Sequence, residues 1–232
     1  MQYRVTWGAQ PFYTSTIFVM ISVLQNVWRN SMNKSLAQYL TNTDIINWQH
    51  PSIIALSKTL AKNAVDKTEI AKRCFEYVRD NIRHTYDYKV DKITLIASDV
   101  LAETTGYCFA KSHLLAALLR ANDIPAGFCY QRLSLNDDGE PYTLHGFNAI
   151  YLEDFGWYRV DPRGNKPGVN AQFSPPEEYL AFTINFEEEC TFPEIWPEPI
   201  APVVEALTRH KNSGYDDVWC DLPDIQWKST LG

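Results

Sequence analysis

One stretch limits this chain more than any other: a polar turn that runs into an apolar helix, with a cysteine at the junction. It reads Thr104-Thr105-Gly106-Tyr107-Cys108, then Phe109 to Arg120. Phe109, Leu115, Leu118 and Leu119 recur near helical spacing and predict a helix over about 107–121 that buries one face. The hydroxyl of Thr104 or Thr105 is placed to cap the free N–H groups of its first turn, and Gly106 allows a sharp bend or a close backbone approach. Cys108 then lies at the positive end of the helix dipole, where a thiol ionises more readily and becomes nucleophilic. The competing reading is a buried structural cysteine, the usual fate of a free thiol.

The flanking pattern sorts into helices before this stretch and strands after it. Residues 34–63 read as short helical pieces broken at Pro51. Asp66 and Glu69 form a capping-box start, and Ile70, Cys74, Phe75, Val78 and Ile82 extend it as an amphipathic helix over 67–83 with Cys74 in the core. His84 falls in a loop and is expected at the surface. A short helical turn is expected from Ala97 to Leu101. Pro125 bars continuation of the cysteine helix, and the period then changes to that of strands. Segments 128–135, 145–152 and 157–161, joined by Asn136-Asp137-Asp138-Gly139 and Glu153-Asp154-Phe155-Gly156, predict an antiparallel meander. A short helix is expected from Ser174 to Phe182. An acidic, proline-rich segment follows from Glu187 and is expected to wrap over the domain without adding a core element. A last helix is expected over 203–211.

At 232 residues the chain suits one domain with elaborations. Its net charge of −7 argues against a nucleic-acid partner, whose phosphates demand a basic surface. The five cysteines, at 74, 108, 129, 190 and 220, are odd in number and include no CxxC pair. That disfavours a disulfide framework or a zinc site and fits a reducing, cytoplasmic compartment. No metal or cofactor is expected. Residues 1–31 carry no charge between Arg4 and Arg29, with an apolar run from Ile17 to Leu24 that is short for a membrane span. They are taken as an extension, with export or membrane attachment as the alternative. The domain is taken as 32–215, and 216–232 as a tail.

Cys108, then His145 opening the second strand, then Asp161 ending the third, set out a nucleophile, a base and a carboxylate in order. Adjacent antiparallel strands bring His145 and Asp161 side by side, and the helix can turn Cys108 toward them. An imidazole that takes the thiol proton, held in orientation by a carboxylate, is what thiol catalysis requires. The run Gly106-Tyr107-Cys108, the helix exit Leu118-Leu119-Arg120-Ala121-Asn122-Asp123-Ile124-Pro125-Ala126, then His145, then Gly156-Trp157-Tyr158-Arg159-Val160-Asp161-Pro162 resembles the transglutaminase-like superfamily. The resemblance implies an α+β fold with a papain-like core, the cysteine helix packed on an antiparallel sheet beside an N-terminal helical lobe. It implies Cys108 as nucleophile, His145 as general base and acid, Asp161 as orienter, and a thioester formed from a peptide or amide substrate. The sequence departs from the common family pattern at His145-Gly146-Phe147-Asn148, where a tryptophan and a carboxylate are usual, and at Gly127, where arginine is frequent.

An oxyanion site needs a donor beyond the Cys108 N–H. Gln131, on the strand before His145, and Tyr107 are the candidates, and solvent-facing Gln131 is the alternative. Arg163 and Asn165 line the cleft or bind substrate, or else position the loop after Asp161. His113 faces away from the thiol, and Cys129 and Trp157 are expected in packing roles. The expected function is hydrolysis of a peptide or amide through the thioester, with cross-linking acyl transfer to an amine and a non-catalytic peptide-binding module on the same fold as the alternatives.

Overall fold

The computed structural model describes residues 35–211, 215, 218 and 222–225. Contacts divide the chain into Met1–Gln38 and Tyr39–Gly232, and the fold described here belongs to the second unit. The extension over 1–31 and most of the 216–232 tail lie outside the described residues.

Helix α1, Pro51–Ala61, begins with its proline in the first turn, where the missing N–H costs nothing. In α2, Lys67–Asn81, the Asp66 carboxylate accepts from the Glu69 N–H at 2.7 Å, and Glu69 reaches back to accept from Val65 N–H at 2.8 Å. Its Ala71, Cys74, Phe75 and Val78 are buried. A two-residue strand β1, Arg83–His84, pairs in parallel with β2, Thr105–Gly106, on the far side of α3, Ala97–Glu103. Helix α4, Cys108–Arg120, follows at once.

The sheet is built from β3, Ala126–Ser134, β4, Tyr142–Leu152, and β5, Gly156–Val160, all antiparallel. The segment after Glu187 corrects the sequence expectation. Cys190–Thr191 adds an edge strand to β3, and Trp196 bridges to Phe128. The sheet order is therefore third strand, second strand, first strand, edge strand. A second correction concerns 174–182. Gln172–Ser174 (β6) and Glu177–Tyr179 (β7) form a hairpin, with the edge strand Cys190–Thr191 becoming β8 and the helix Ala201–Arg209 becoming α5. Tyr158 explains the hairpin: its hydroxyl accepts from Ser174 N–H at 3.0 Å and donates to Glu177 carbonyl at 3.2 Å. Anchoring by a strand neighbour overrides the helical capping signal.

Helix α4 packs between α2, α3 and the sheet, and every residue from Cys108 to Arg120 is buried. The expected single apolar face is thus an all-round buried surface, as a helix enclosed on every side requires. Its polar residues act as tethers. Lys111 donates to the carbonyls of Arg79 and Ile82, His113 Nδ1 lies 2.8 Å from Leu95 carbonyl, and Arg120 donates to the carbonyls of Thr41, Ala126 and Pro197. Each satisfies a loop or helix-end carbonyl that would otherwise be buried unpaired at about 1–3 kcal/mol. Among the described residues no helix is long and apolar enough to cross a membrane.

Candidate active site

The entry to α4 is not capped by threonine. Thr104 ends α3 in the left-handed conformation with φ 53°, and Tyr107 is the N-cap residue without a side-chain cap bond. Gly106 supplies the expected close approach: a Cβ there would lie 3.0 Å from Ala110 Cβ and 3.1 Å from Thr94 Oγ1. β2 can therefore lie directly against the first turn of α4, which fixes where Cys108 emerges. Phe109, the next residue, is seated on Gly146 of β4, where a Cβ would come within 2.4 Å of the ring. Because Gly146 directly follows His145, this seat sets the helix mouth against the histidine.

His145 Nε2 lies 2.6 Å from Asp161 Oδ2. The same carboxylate accepts from the N–H of Ala181 at 3.0 Å and, through Oδ1, from the N–H of Arg163 at 3.1 Å. Nε2 is engaged by Asp161, which leaves Nδ1 as the other ring nitrogen, and Cys108 is close enough to act electrostatically on the ring. Burial alone would disfavour the imidazolium. The charges and hydrogen bonds of Asp161 and Cys108 outweigh it and raise the His145 pKa above its ordinary value. Burial likewise pushes the Asp161 carboxyl up, but His145 and the two backbone donors prevail and hold it below its ordinary value. A thiol, an imidazole and a buried carboxylate in this sequence can move a proton from sulfur to nitrogen and hold the resulting charges.

Cys108 and His145 line a cavity of about 640 Å³ with Phe182, Leu144, Val169 and Arg163 on its walls. Arg163 is 6% exposed, and its guanidinium grips Asp87 through two nitrogens at 2.7 and 3.0 Å, while Lys166 reaches the same carboxylate at 2.8 Å. Burial opposes ionisation of Asp87, but these donors lower its pKa to about 2. The cation is therefore already neutralised, and its place in the wall is fixed by Asp87.

The other sequence candidates lie elsewhere. Gln131 sits opposite His145 in register but is neither solvent-facing nor presented to the thiol. Its amide donates to Thr191 Oγ1 at 3.0 Å and to Phe182 carbonyl at 3.4 Å. It stitches β8 and the following wall to β3, a role set by an edge strand the sequence did not announce. The Tyr107 hydroxyl donates to the carbonyl of Tyr215. Asn165 exchanges hydrogen bonds with the backbone of Ala171, accepting at 2.8 Å and donating at 3.3 Å, and so closes its own loop. Cys129 is buried, and its thiol is pushed up to about 12 by desolvation. Asn148 stands where the sequence resemblance leads a carboxylate to be expected. Its amide donates at 3.1 Å to the carbonyls of Ser112 and Gly127, a position an ionised carboxylate, which only accepts, cannot fill.

Sequence reading missed His84. It is 3% exposed, lines the cavity with Cys108, and packs edge-on against Tyr107 with centroids 5.7 Å apart. Desolvation, reinforced by Arg163, drives its pKa well below the ordinary value, so it is uncharged. The only signal for its placement was its position one residue after an arginine at the end of an amphipathic helix, which says nothing of the parallel pairing with Gly106.

Residues 54–162 match the family model of the transglutaminase-like superfamily. No curated protein matches the chain. Solved structures to which the chain is similar include a provisionally assigned cysteine protease from Cytophaga hutchinsonii, at 18% identity and TM-score 0.45 over 56% of this chain and 42% of that one. Red sea bream transglutaminase is similar at 11% identity and TM-score 0.40 over 50% and 27% of the two chains. The periplasmic domain of TgpA from Pseudomonas aeruginosa, bound to ethylmercury, is similar at 21% identity and TM-score 0.36 over 48% and 43%. The aligned part spans less than half of each of these structures.

Proposed function

From the match of residues 54–162 to the transglutaminase-like superfamily and from the site geometry, we propose that the chain is a cysteine hydrolase acting on peptide or amide bonds through a thioester. The observation that carries this reading is the buried His145–Asp161 pair at 2.6 Å, with Cys108 in the wall of the same cavity as His145. The Cys108 thiolate attacks the carbonyl carbon, with its own backbone N–H at the helix mouth as one oxyanion donor. As the C–N bond breaks, the His145 imidazolium gives its proton to the leaving amine. Water then enters, His145 takes its proton, and the C–S bond breaks to release the acid and the thiol. Asp161 holds the ring in place throughout. The substrate is a peptide, protein or small amide that reaches a cavity whose wall mixes apolar side chains such as Leu144 and Phe182 with polar and charged ones such as Thr143, Arg163 and Glu189. Among the described residues Cys74, Cys108 and Cys129 are free thiols, which favours a reducing compartment.

The reading is tested by acylation with p-nitrophenyl acetate, followed by mass spectrometry of the Cys108 peptide. Wild-type protein is expected to acylate at Cys108 and to release acetate, and Cys108→Ala and His145→Ala to lose acylation. Nitrophenol release that survives Cys108→Ala would refute it. Adding a labelled primary amine separates the cross-linking outcome, since label captured as an amide marks transfer and acetate alone marks hydrolysis.

A further inference from the structure

Among the described residues, two buried polar side chains of the cavity wall lack a hydrogen-bond partner: the imidazole of His84, at both nitrogens, and the hydroxyl of Thr143. Thr143 lies on β4 two residues before His145, and His84 lies beside the residue pair that leads into Cys108. Native structures rarely leave a buried imidazole unpartnered, because the unmade bonds cost free energy that a ligand can recover. Arg163 in the same wall is bound to Asp87 through two nitrogens, and the amide groups of Gln131 and Asn148, outside the cavity lining, make donor bonds although their oxygens are unpartnered; His84 differs in lacking a partner at both ring nitrogens. His84 therefore stands out as a group whose partner arrives with the substrate.

The direction of that bond follows from Asp87. Its Oδ2 lies 3.7 Å from His84 Nδ1, too far for a hydrogen bond but close enough for a carboxylate to favour the proton on that nitrogen. The charges facing His84 are Arg163 and Asp87 in the wall, Lys111 on α4, and His145 on β4. Three of them are cationic or become so, which keeps the ring neutral. A neutral imidazole with its proton on Nδ1 has an acceptor at Nε2.

We propose that His84 is a substrate-contacting residue that accepts, through Nε2, a hydrogen bond from an N–H of the acyl donor held at Cys108, and so selects amides over esters. This rests on the reading of Cys108 as nucleophile and assigns to that site a residue that recognises its amide substrate. A carbonyl compound with nitrogen beside the reacting centre pairs the buried acceptor. An ester presents a second acceptor and leaves both unpaired. Sites built to pair a substrate N–H discriminate strongly against analogues that lack it.

The test uses the full chain and two alkylating probes of similar shape, iodoacetamide and methyl iodoacetate. Each forms a C–S bond at Cys108 as iodide leaves, and modification is read at the Cys108 peptide. The amide-to-ester rate ratio is normalised to that of N-acetylcysteine. Wild-type protein is expected to favour the amide by about tenfold or more, the scale of one paired hydrogen bond in a desolvated site. His84→Phe keeps an aromatic ring against Tyr107 and removes the acceptor. It is expected to bring the ratio to that of N-acetylcysteine and to raise Tm, because a buried unpartnered polar group is gone. His84→Gln, which restores an acceptor oxygen, is expected to recover part of the preference. A wild-type ratio equal to that of the free thiol, or a preference that survives His84→Phe, overturns the proposal. Cys108 alkylated no faster than Cys74, Cys129 and Cys190 instead overturns the nucleophile reading beneath it.

Discussion

Replacing Gly146 by alanine tests how the helix mouth is held against the histidine. A Cβ at this position lies 2.4 Å from Phe109 Cδ1 and 2.9 Å from Cε1. Ordinary carbon contacts begin near 3.5 Å, so the ring or the strand must retreat by about 1 Å. Phe109 has little room to do so: it is 1% exposed, and its ring faces Tyr130 at 6.4 Å. Overpacking of this kind costs about 1–3 kcal/mol, which for a domain of this size lowers Tm by about 2–12 °C. Function should suffer more than stability. Phe109 follows Cys108 and Gly146 follows His145, so the retreat separates the thiol from the imidazole, and a misplacement of about 1 Å costs on the order of 100-fold in rate. Urea unfolding and the acylation rate with p-nitrophenyl acetate measure the two effects. The double variant Gly146→Ala with Phe109→Leu makes room for the new methyl and should recover part of both, giving a coupling of about 0.5–3 kcal/mol between the sites. Wild-type stability and rate in Gly146→Ala, or strictly additive losses in the double variant, would refute the seat.

Asp161→Asn leaves His145 buried without its charge partner and is expected to cost about 3–5 kcal/mol. An NMR titration of the His145 ring should show its midpoint falling relative to wild type, and an unmoved midpoint would count against the pair. The signs for pH follow from the shifts. The Asp161 contribution is present above the free-carboxyl value of 3.8 and lost as pH falls through the depressed folded value, whereas the His145 contribution is full below 6.5 and lost as pH rises through the raised one. Lys111 behaves oppositely: burial first, then Arg163, lowers its pKa from 10.5 to about 7. Between those values the unfolded chain binds the extra proton, so Lys111 adds stability as pH rises. Urea unfolding at pH 7 and pH 10 should show the wild-type-minus-Lys111→Met difference moving in favour of wild type, and a constant difference would refute a buried, depressed amine. Asn148→Ala strips donors from the carbonyls of Ser112 and Gly127 and is expected to cost about 1–3 kcal/mol in denaturant unfolding. A near-zero change would mean that water replaces the amide.

The order of helices and strands was legible because hydrophobic period alone separates the segment around Val78 from that around Tyr130. The pairing of His145 with Asp161 was legible as a succession of residue types, since adjacent antiparallel strands can bring 145 and 161 close. What could not be read was decided by partners distant in sequence. The 174–182 capping signal lost to anchoring by Tyr158. The segment at Cys190 became an edge strand because β3 offered unpaired backbone groups opposite Gln131 and Arg132. His84 moved from an expected surface loop into the cavity wall through a two-residue parallel pairing that leaves no periodic trace. Gln131 and Asn165 have the chemistry of binding residues, but neighbouring backbone and hydroxyl groups claim it.

The enclosure of α4 has a consequence for how the thiol is exposed to the rest of the cell's chemistry. A helix at a protein surface frays, and its first residues sample open forms at little cost. Here the first turn is roofed by β2 and the tethers from Lys111, His113 and Arg120 reach three separate regions of the chain. Opening the turn requires those regions to part together, so the α4 amides belong to the most slowly exchanging class, which open only with global unfolding. Deuterium uptake should therefore reach the Cys108–Arg120 segment last. Oxidants too large for the cavity would then modify Cys108 only at the rate at which the whole domain unfolds.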